Sequence, residues 1–360
     1  MSFKLNTAKN QNIKLETSKT MVLNTSYVPD EIPVDEFLRL EIITVAVNTS
    51  VTIPHINGYV YDYTITYGDG TADGTVTTYN DADCTHIYAI AGTYEIKISG
   101  TCETINVANT GTLRNKVYRV ISFGTTGLKV FNLYGCLHLY SVPEAGIGFQ
   151  SLETLNYLFG RTAITEVSKY MFYYATQVTT ASYIFEAVAI TKAHKGWFWN
   201  CPLITAFNES FAESGITSVH ADIFKYNSLV TSFSSTFESC KISSIPVGLF
   251  RYNPLVTNVS YCFAYNTTLS IITYDIFEYN PLIENMYGLF FLNTHLVTIP
   301  SSLFINNLAV TTFYSCFGLC VRLTSMVPLL WNRIPEPTGT QCFFNDLLVT
   351  NYSDIPAGWK

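Results

Sequence analysis

Phenylalanine recurs in this chain at a nearly fixed interval, and that recurrence limits what the chain can fold into. Phe172, Phe198, Phe224, Phe250, Phe277 and Phe304 follow one another at spacings of 26, 26, 26, 27 and 27 residues. A second ladder of Phe159, Phe185, Phe211, Phe237, Phe263, Phe290, Phe317 and Phe343 runs 13 residues after the first wherever both exist. Ile164, Ile190, Ile216, Ile242, Leu269, Leu296 and Leu323 keep the same phase. So do Val167, Ala193, Val219, Ile245, Ile272 and Ile299, each five residues before a Phe of the first ladder. A 13-residue half-unit is too short to bury an apolar face alone, so neighbouring units must cover it by stacking. Leu229-Val230-Thr231, Leu255-Val256-Thr257 and Ile242-Ser243-Ser244-Ile245 suit short strands, with Asn253-Pro254 and Asn280-Pro281 as turn dipeptides. The expectation is a mainly β solenoid of 26–27-residue coils over residues 164–360, entered by irregular coils over 108–163.

Composition agrees with a packed chain. Hydrophobic residues make up 48% and charged residues 13%, which excludes disorder as the general state. The net charge is −7 and no Lys/Arg-rich run occurs, so nucleic acid and anionic membrane surfaces are poor partners. No apolar run reaches the roughly 18 residues of a membrane span, so no membrane insertion is expected. The first residues lack the basic start and apolar core of a secretion signal. Either a signal has been removed, or the protein is made and left in a cytoplasm.

The nine cysteines contain no CxxC pair. Cys262, Cys316 and Cys342 each precede a second-ladder Phe, and Cys240 and Cys320 each follow one by three, which suits small buried free thiols. Cys84 and Cys102 flank one hairpin region and would pair only in an oxidising compartment.

Residues 1–36 are polar with scattered apolar positions and read either as an extended attachment arm or as a frayed tail. Residues 37–107 are strand-like: Tyr61-Asp62-Tyr63-Thr64-Ile65-Thr66-Tyr67 alternates, Gly68-Asp69-Gly70-Thr71 turns, and Thr93-Tyr94-Glu95-Ile96-Lys97-Ile98-Ser99 alternates again. Short strands at this spacing predict a small antiparallel sandwich.

Two resemblances become specific here. Tyr67-Gly68-Asp69-Gly70-Thr71, His86-Ile87-Tyr88 and Ala91-Gly92-Thr93-Tyr94 resemble the PKD-type immunoglobulin-like domain, in which the aspartate and histidine mainly support the fold. The acidic positions Asp69, Asp73, Asp81 and Asp83 leave a calcium reading open, since Ca²⁺ favours clustered carboxylates, but they do not match an EF-hand loop. Ile245-Pro246-Val247-Gly248-Leu249-Phe250 and Ile299-Pro300-Ser301-Ser302-Leu303-Phe304 resemble the BspA-like leucine-rich repeats of bacterial surface and bacteriophage proteins. The fold implied is an Ig-like β-sandwich followed by a leucine-rich-repeat-type solenoid, in which the C-terminal Trp359 helps to cap the open end.

Chemistry is sparse. The six histidines are dispersed without metal-ligand spacing, and neither a phosphate-binding glycine loop nor a G-x-S-x-G elbow appears. No catalytic, cofactor or metal residue is assigned. The sharpest catalytic alternative is a tail-spike-like glycosidase using Asp222 and Asp275, which share a slot on coils two apart, with Glu278 nearby. The leading expectation is a non-enzymatic virion component of a tailed bacteriophage (fibre, appendage or decoration protein) that presents a recognition surface. Its expected partners are other virion proteins through the N-terminal arm and a host cell-surface glycan or protein, and a homo-oligomer is compatible with the sequence. The alternative is a secreted bacterial cell-surface adhesin. Tyr226, Tyr252, Tyr279, Tyr261 and Tyr265 are the candidate binding residues. Tyr226, Tyr252 and Tyr279 share a slot two after Phe and so form a stripe, which serves either to pack the core edge or to contact ligand.

Overall fold

Strict alternation of apolar residues builds the first layer. In β1 (Leu38–Thr44) residues Leu38, Leu40, Ile42 and Thr44 point inward and their neighbours outward. The same pattern recurs in β3 (Tyr61–Thr66). With β4 (Gly74–Val76), β6 (Gly92–Cys102) and β8 (Val117–Phe123) these strands form a five-stranded antiparallel sheet in the order β4-β3-β6-β1-β8. A second antiparallel pair joins β2 (Thr49–Thr52) to β5 (Thr85–Tyr88). The computed structural model describes residues 34–109 and 111–360, so nearly all of the expected 1–36 arm lies outside the described residues. Val34–Lys360 is one compact unit. Helix accounts for 7% and strand for 19%, so the chain is β-rich with antiparallel sheets.

The Tyr67–Thr71 turn is held by side chains. Asp69 accepts from the Thr71 amide and hydroxyl and from His86 Nε2 at 2.7 Å, while the Tyr67 ring stacks on His86 at 4.3 Å. Burial pushes Asp69 up, but the hydrogen bonds from Thr71 and His86 outweigh it and leave the carboxyl below its ordinary range. Gly68 has φ +78°, and a Cβ there would lie 2.5 Å from the Glu95 carbonyl oxygen, so only glycine fits.

Strand β8 joins two kinds of pairing. One side pairs antiparallel with β1, while the other bridges in parallel from Arg119 to Ser141. An exposed sheet edge is a site for unwanted pairing. Here the chain covers that edge with itself. Parallel pairing then takes over, beginning with β7 (Thr104–Asn106) on β9 (Val130–Asn132).

From Glu103 onward one backbone bond per coil runs along the molecule. Lys129 donates to Glu103, Glu153 to Lys129, Thr179 to Glu153 and Thr205 to Thr179; Thr231, Thr257, Glu284, Thr311 and Thr338 continue the series, all at 2.7–3.0 Å. The ladder therefore starts well before Ile164, where the repeat of residue types begins. Parallel bridges such as Ser232↔Asn258, Asn258↔Asn285 and Asn285↔Thr312 keep the register.

Inside the coils, each Phe stacks on its counterpart. Centroids lie 5.4 Å apart for Phe211–Phe237, 5.7 Å for Phe237–Phe263 and 5.9 Å for Phe250–Phe277. The two ladders face one another across the interior, as Phe250 and Phe263 do at 6.1 Å. A further aromatic row of Phe207, Phe233 and Phe313 is wholly buried and packs on the first ladder.

The coil bends by a repeated backbone device. Residues two before and two after each second-ladder Phe take positive φ, among them Glu209 and Glu213, Ser235 and Ser239, and Tyr261 and Tyr265. Each such conformation costs roughly 1–2 kcal/mol for an L-residue. The cost is offset by hydrogen bonding: Glu209, Phe211 and Glu213 donate to Ser234, Thr236 and Glu238 of the next coil, and the intervening amides close turns within their own coil.

The asparagine of the Asn-Pro dipeptides does more than turn the chain. Asn227, Asn253, Asn280 and Asn307 are fully buried. The Asn253 amide donates to the Phe224 and Asn227 carbonyls, and Asn280 likewise to Phe250 and Asn253. Asn227 and Asn307 make the same pair of bonds one coil earlier and one coil later. At the end of the series the Arg333 guanidinium bonds the Phe304 and Asn307 carbonyls, replacing an asparagine. On the opposite side Asn266 and Asn293 occupy the equivalent slot, three after Phe. Cysteine substitutes on both sides: Cys201 in the Asn227 series directs its thiol at the Phe172 carbonyl, and Cys240 and Cys320 in the Asn266 series at those of Phe211 and Phe290. The Oδ1 atoms of Asn227, Asn253, Asn280, Asn293 and Asn307 have no partner among the described residues, whereas Asn266 Oδ1 accepts from the Ile242 amide, so the feature common to the slot is a donor. A thiol supplies one. All nine cysteines are buried and free, and burial pushes Cys136 and Cys240 up to about 12.

At the C-terminal end the Gln341 and Phe343 amides bond the Gly358 and Trp359 carbonyls. The Trp359 ring lies flat against Gly339, where a Cβ would come within 2.0 Å of it.

Candidate functional site

The two Phe ladders divide the surface into opposite faces, because residues flanking each ladder emerge on its own side of the coil. The five candidate tyrosines are divided between these faces. Tyr226, Tyr252 and Tyr279 lie beside the first ladder, whereas Tyr261 and Tyr265 flank Phe263 of the second.

On the first face, side chains interleave in one continuous series. Lys195 Nζ sits 5.7 Å from the Trp199 ring, and Trp199 packs edge-on against Tyr226 at 5.7 Å. Lys225 Nζ lies over both Tyr226 and Tyr252, at 5.5 and 5.7 Å. Arg251 covers the Tyr252 ring at 4.5 Å and also donates to the Tyr252 hydroxyl. Tyr226 and Tyr252 are half-buried, while Tyr279 is 52% exposed. Lys225 and Arg251 occupy the position after Phe on successive coils, and Glu278 takes that position on the next. The cationic series ends there. Asp222 meets Arg251 Nη2 at 3.8 Å.

The second face is acidic in its middle coils. Glu186 is buried and accepts both Nε and Nη2 of Arg161. Glu209 accepts the Tyr183 hydroxyl at 2.7 Å. Glu238 is pushed up, first by burial and then by Glu209 and Glu213. Beyond these carboxylates the face turns aromatic: Tyr261 packs on Tyr287 at 5.0 Å, Tyr287 stacks on Tyr314 at 4.8 Å, and Tyr265 meets Phe291 at 5.5 Å. Gly288 makes room for this row, since a Cβ there would stand 2.4 Å from the Tyr261 ring. Burial, followed by the Tyr287 hydroxyl, raises the Tyr261 phenol well above its ordinary range.

The carboxylates weighed for chemistry sit in different surroundings, and Asp275 Oδ1 has no hydrogen-bond partner among the described residues. Asp275 is 9% exposed, in contrast to the Arg251-paired Asp222. Asp73 accepts from the Thr66 hydroxyl, Asp81 from Thr77 and Asp83, and Asp83 from the Thr75 amide. Among the described residues no group of three or more His, Cys, Asp or Glu is placed to hold a metal ion. Also among the described residues, no helix is long and apolar enough to cross a membrane.

Sequence reasoning named Tyr226 and Tyr252 as candidates but did not name the residues that pack beside them. Lys195, Trp199, Lys225 and Arg251 carry a usable signal, since each lies within three residues of a ladder Phe. In comparisons with known proteins, no protein-family model matches the sequence and no curated protein is significantly similar to it.

Proposed function

We propose that residues 34–360 form an Ig-like sandwich of PKD type continued by a leucine-rich-repeat-type solenoid, and that the protein is a non-enzymatic recognition module. The observation that carries this reading is the unbroken hydrogen-bonded ladder from Glu103 to Thr338. It turns a weakly charged chain into a long surface with two chemically distinct faces, while the ladders fill the interior with side chains. Repeat stacks of this kind serve as extended binding surfaces, and half-buried tyrosines beside cations are common at recognition sites.

The setting that fits best is the virion of a tailed bacteriophage, as a fibre, appendage or decoration protein. Nine buried free thiols favour folding in a reducing compartment, which suits a protein released by lysis better than a secreted adhesin. Mass spectrometry of purified particles should find the protein, and its absence from them would overturn the virion reading. Tyr252→Ala removes the ring shared by Lys225 and Arg251 and should weaken attachment to target cells at least tenfold. A variant that loses stability but attaches normally would reduce Tyr252 to a packing residue.

A further inference from the structure

We propose that the first face binds an acidic polysaccharide, and that the aromatic rings act there mainly as mounts for cations. The inference rests on the reading of this face as the binding face. Lys195, Trp199, Tyr226, Lys225, Tyr252 and Arg251 form one chain of cations and rings over three successive coils, with every neighbouring pair in contact range. A cation over a ring face is attracted by the ring quadrupole. It is also held in place, which lowers the entropy lost when an anion binds. Because Lys and Arg cover the ring faces, the surface offers fixed positive charge rather than open stacking platforms.

Spacing and charge density narrow the class of polyanion. Lys225 and Arg251 share a slot on successive coils, and paired backbones lie roughly 5 Å apart, so these two cations repeat at about the length of one hexose unit. Same-side carboxylates of an extended acidic peptide repeat at roughly 6.5 Å and would drift out of register over three coils. Nucleic acid carries a charge on every nucleotide, and a face with three cations on a protein of net charge −7 is poorly matched to it. A chain with one carboxylate per sugar or per disaccharide fits. Glu278 ends the cationic stretch on one side, and Asp222, on the middle coil, pairs with Arg251 at 3.8 Å, so the stretch is short and only moderately charged.

The test is titration calorimetry of the full chain with oligogalacturonate, alginate oligomers and chondroitin oligosaccharides, beside uncharged dextran oligomers and polyglutamate. At least one acidic glycan should bind, more weakly as salt rises, and dextran should not. Lys225→Gln with Arg251→Gln should lower that affinity at least tenfold, whereas Tyr252→Phe, which keeps the ring, should change it less than threefold. Thermal melts of each variant report whether the fold survives. The proposal is overturned if no acidic glycan binds, if dextran or polyglutamate binds as tightly, if the double variant binds normally, or if the face proves to be occupied by a second copy of the chain. Tyr252-dependent attachment to cells without binding of any acidic glycan would reject the ligand class and leave the binding face standing.

Discussion

Phe250→Ala should destabilise the protein by about 3–5 kcal/mol, the range for truncating a buried phenylalanine. Phe250 is fully buried and touches four other rings: Phe224 at 6.3 Å, Phe233 at 4.6 Å, Phe263 at 6.1 Å and Phe277 at 5.9 Å. Those partners sit on its own coil and on the coils to either side, so the cavity opens where three coils meet. In a stack each unit contacts only its neighbours, and a weakened contact can uncouple the two flanks. Urea unfolding should therefore show a lower midpoint and a second transition in the variant. Tyr274→Ala is the control, since Tyr274 is 68% exposed and should cost no more than about 0.5 kcal/mol. A near-neutral Phe250→Ala would mean that the rings do not stack as described.

Asp346→Asn should stabilise the protein, and the gain should grow with pH. Asp346 is 1% exposed and lies three after Phe343, in the slot that Asn266 and Asn293 fill with donating amides. Neither carboxyl oxygen has a hydrogen-bond partner among the described residues. Burial pushes the carboxyl up to about 8 from an ordinary 3.8. The folded chain thus holds a proton that the unfolded chain releases near pH 4. Between those values the native state binds more protons, so this group makes stability fall as pH rises, by about 1.4 kcal/mol per unit, and the loss is complete above pH 8. Asparagine supplies a donor without titrating. Thermal unfolding should show a small difference between variant and parent at pH 4.5 and a difference of several kcal/mol at pH 8. A difference independent of pH would contradict the buried, protonated carboxyl.

The sequence made the Phe and Ile ladders legible because burial selects residue type, and burial recurs with the coil. Other features left weaker marks for physical reasons. The row containing Phe207, Phe233 and Phe313 is broken by Ala181, Val259 and Met286, which fill the same slot with unrelated shapes. Most of the positive-φ positions carry Tyr, Glu, Ser or Leu, which do not advertise that conformation; Gly288 and Asn345 do, but only on two coils. The start of the ladder at Glu103 is invisible in residue type because backbone groups make those bonds. Asn253 and Asn280 stand out in the sequence as turn dipeptides with proline, and only the coil geometry shows their side chains buried. The candidate site divided for a related reason. Tyr252 and Tyr261 are close in sequence, but the eight residues between them cross most of a half-coil, so they emerge on opposite faces.

The side-chain amides of Asn227, Asn253, Asn280 and Asn307 give the most direct test of the stack, because they are buried only if successive coils close over them in register. Each donates to two backbone carbonyls of the preceding coil. Followed by NMR in deuterated water, all four NH₂ groups should persist for hours, alongside the backbone amides of the ladder. Loss of their signals within the dead time, while the backbone stays protected, would show that these residues are exposed turns and that the coils do not stack as described.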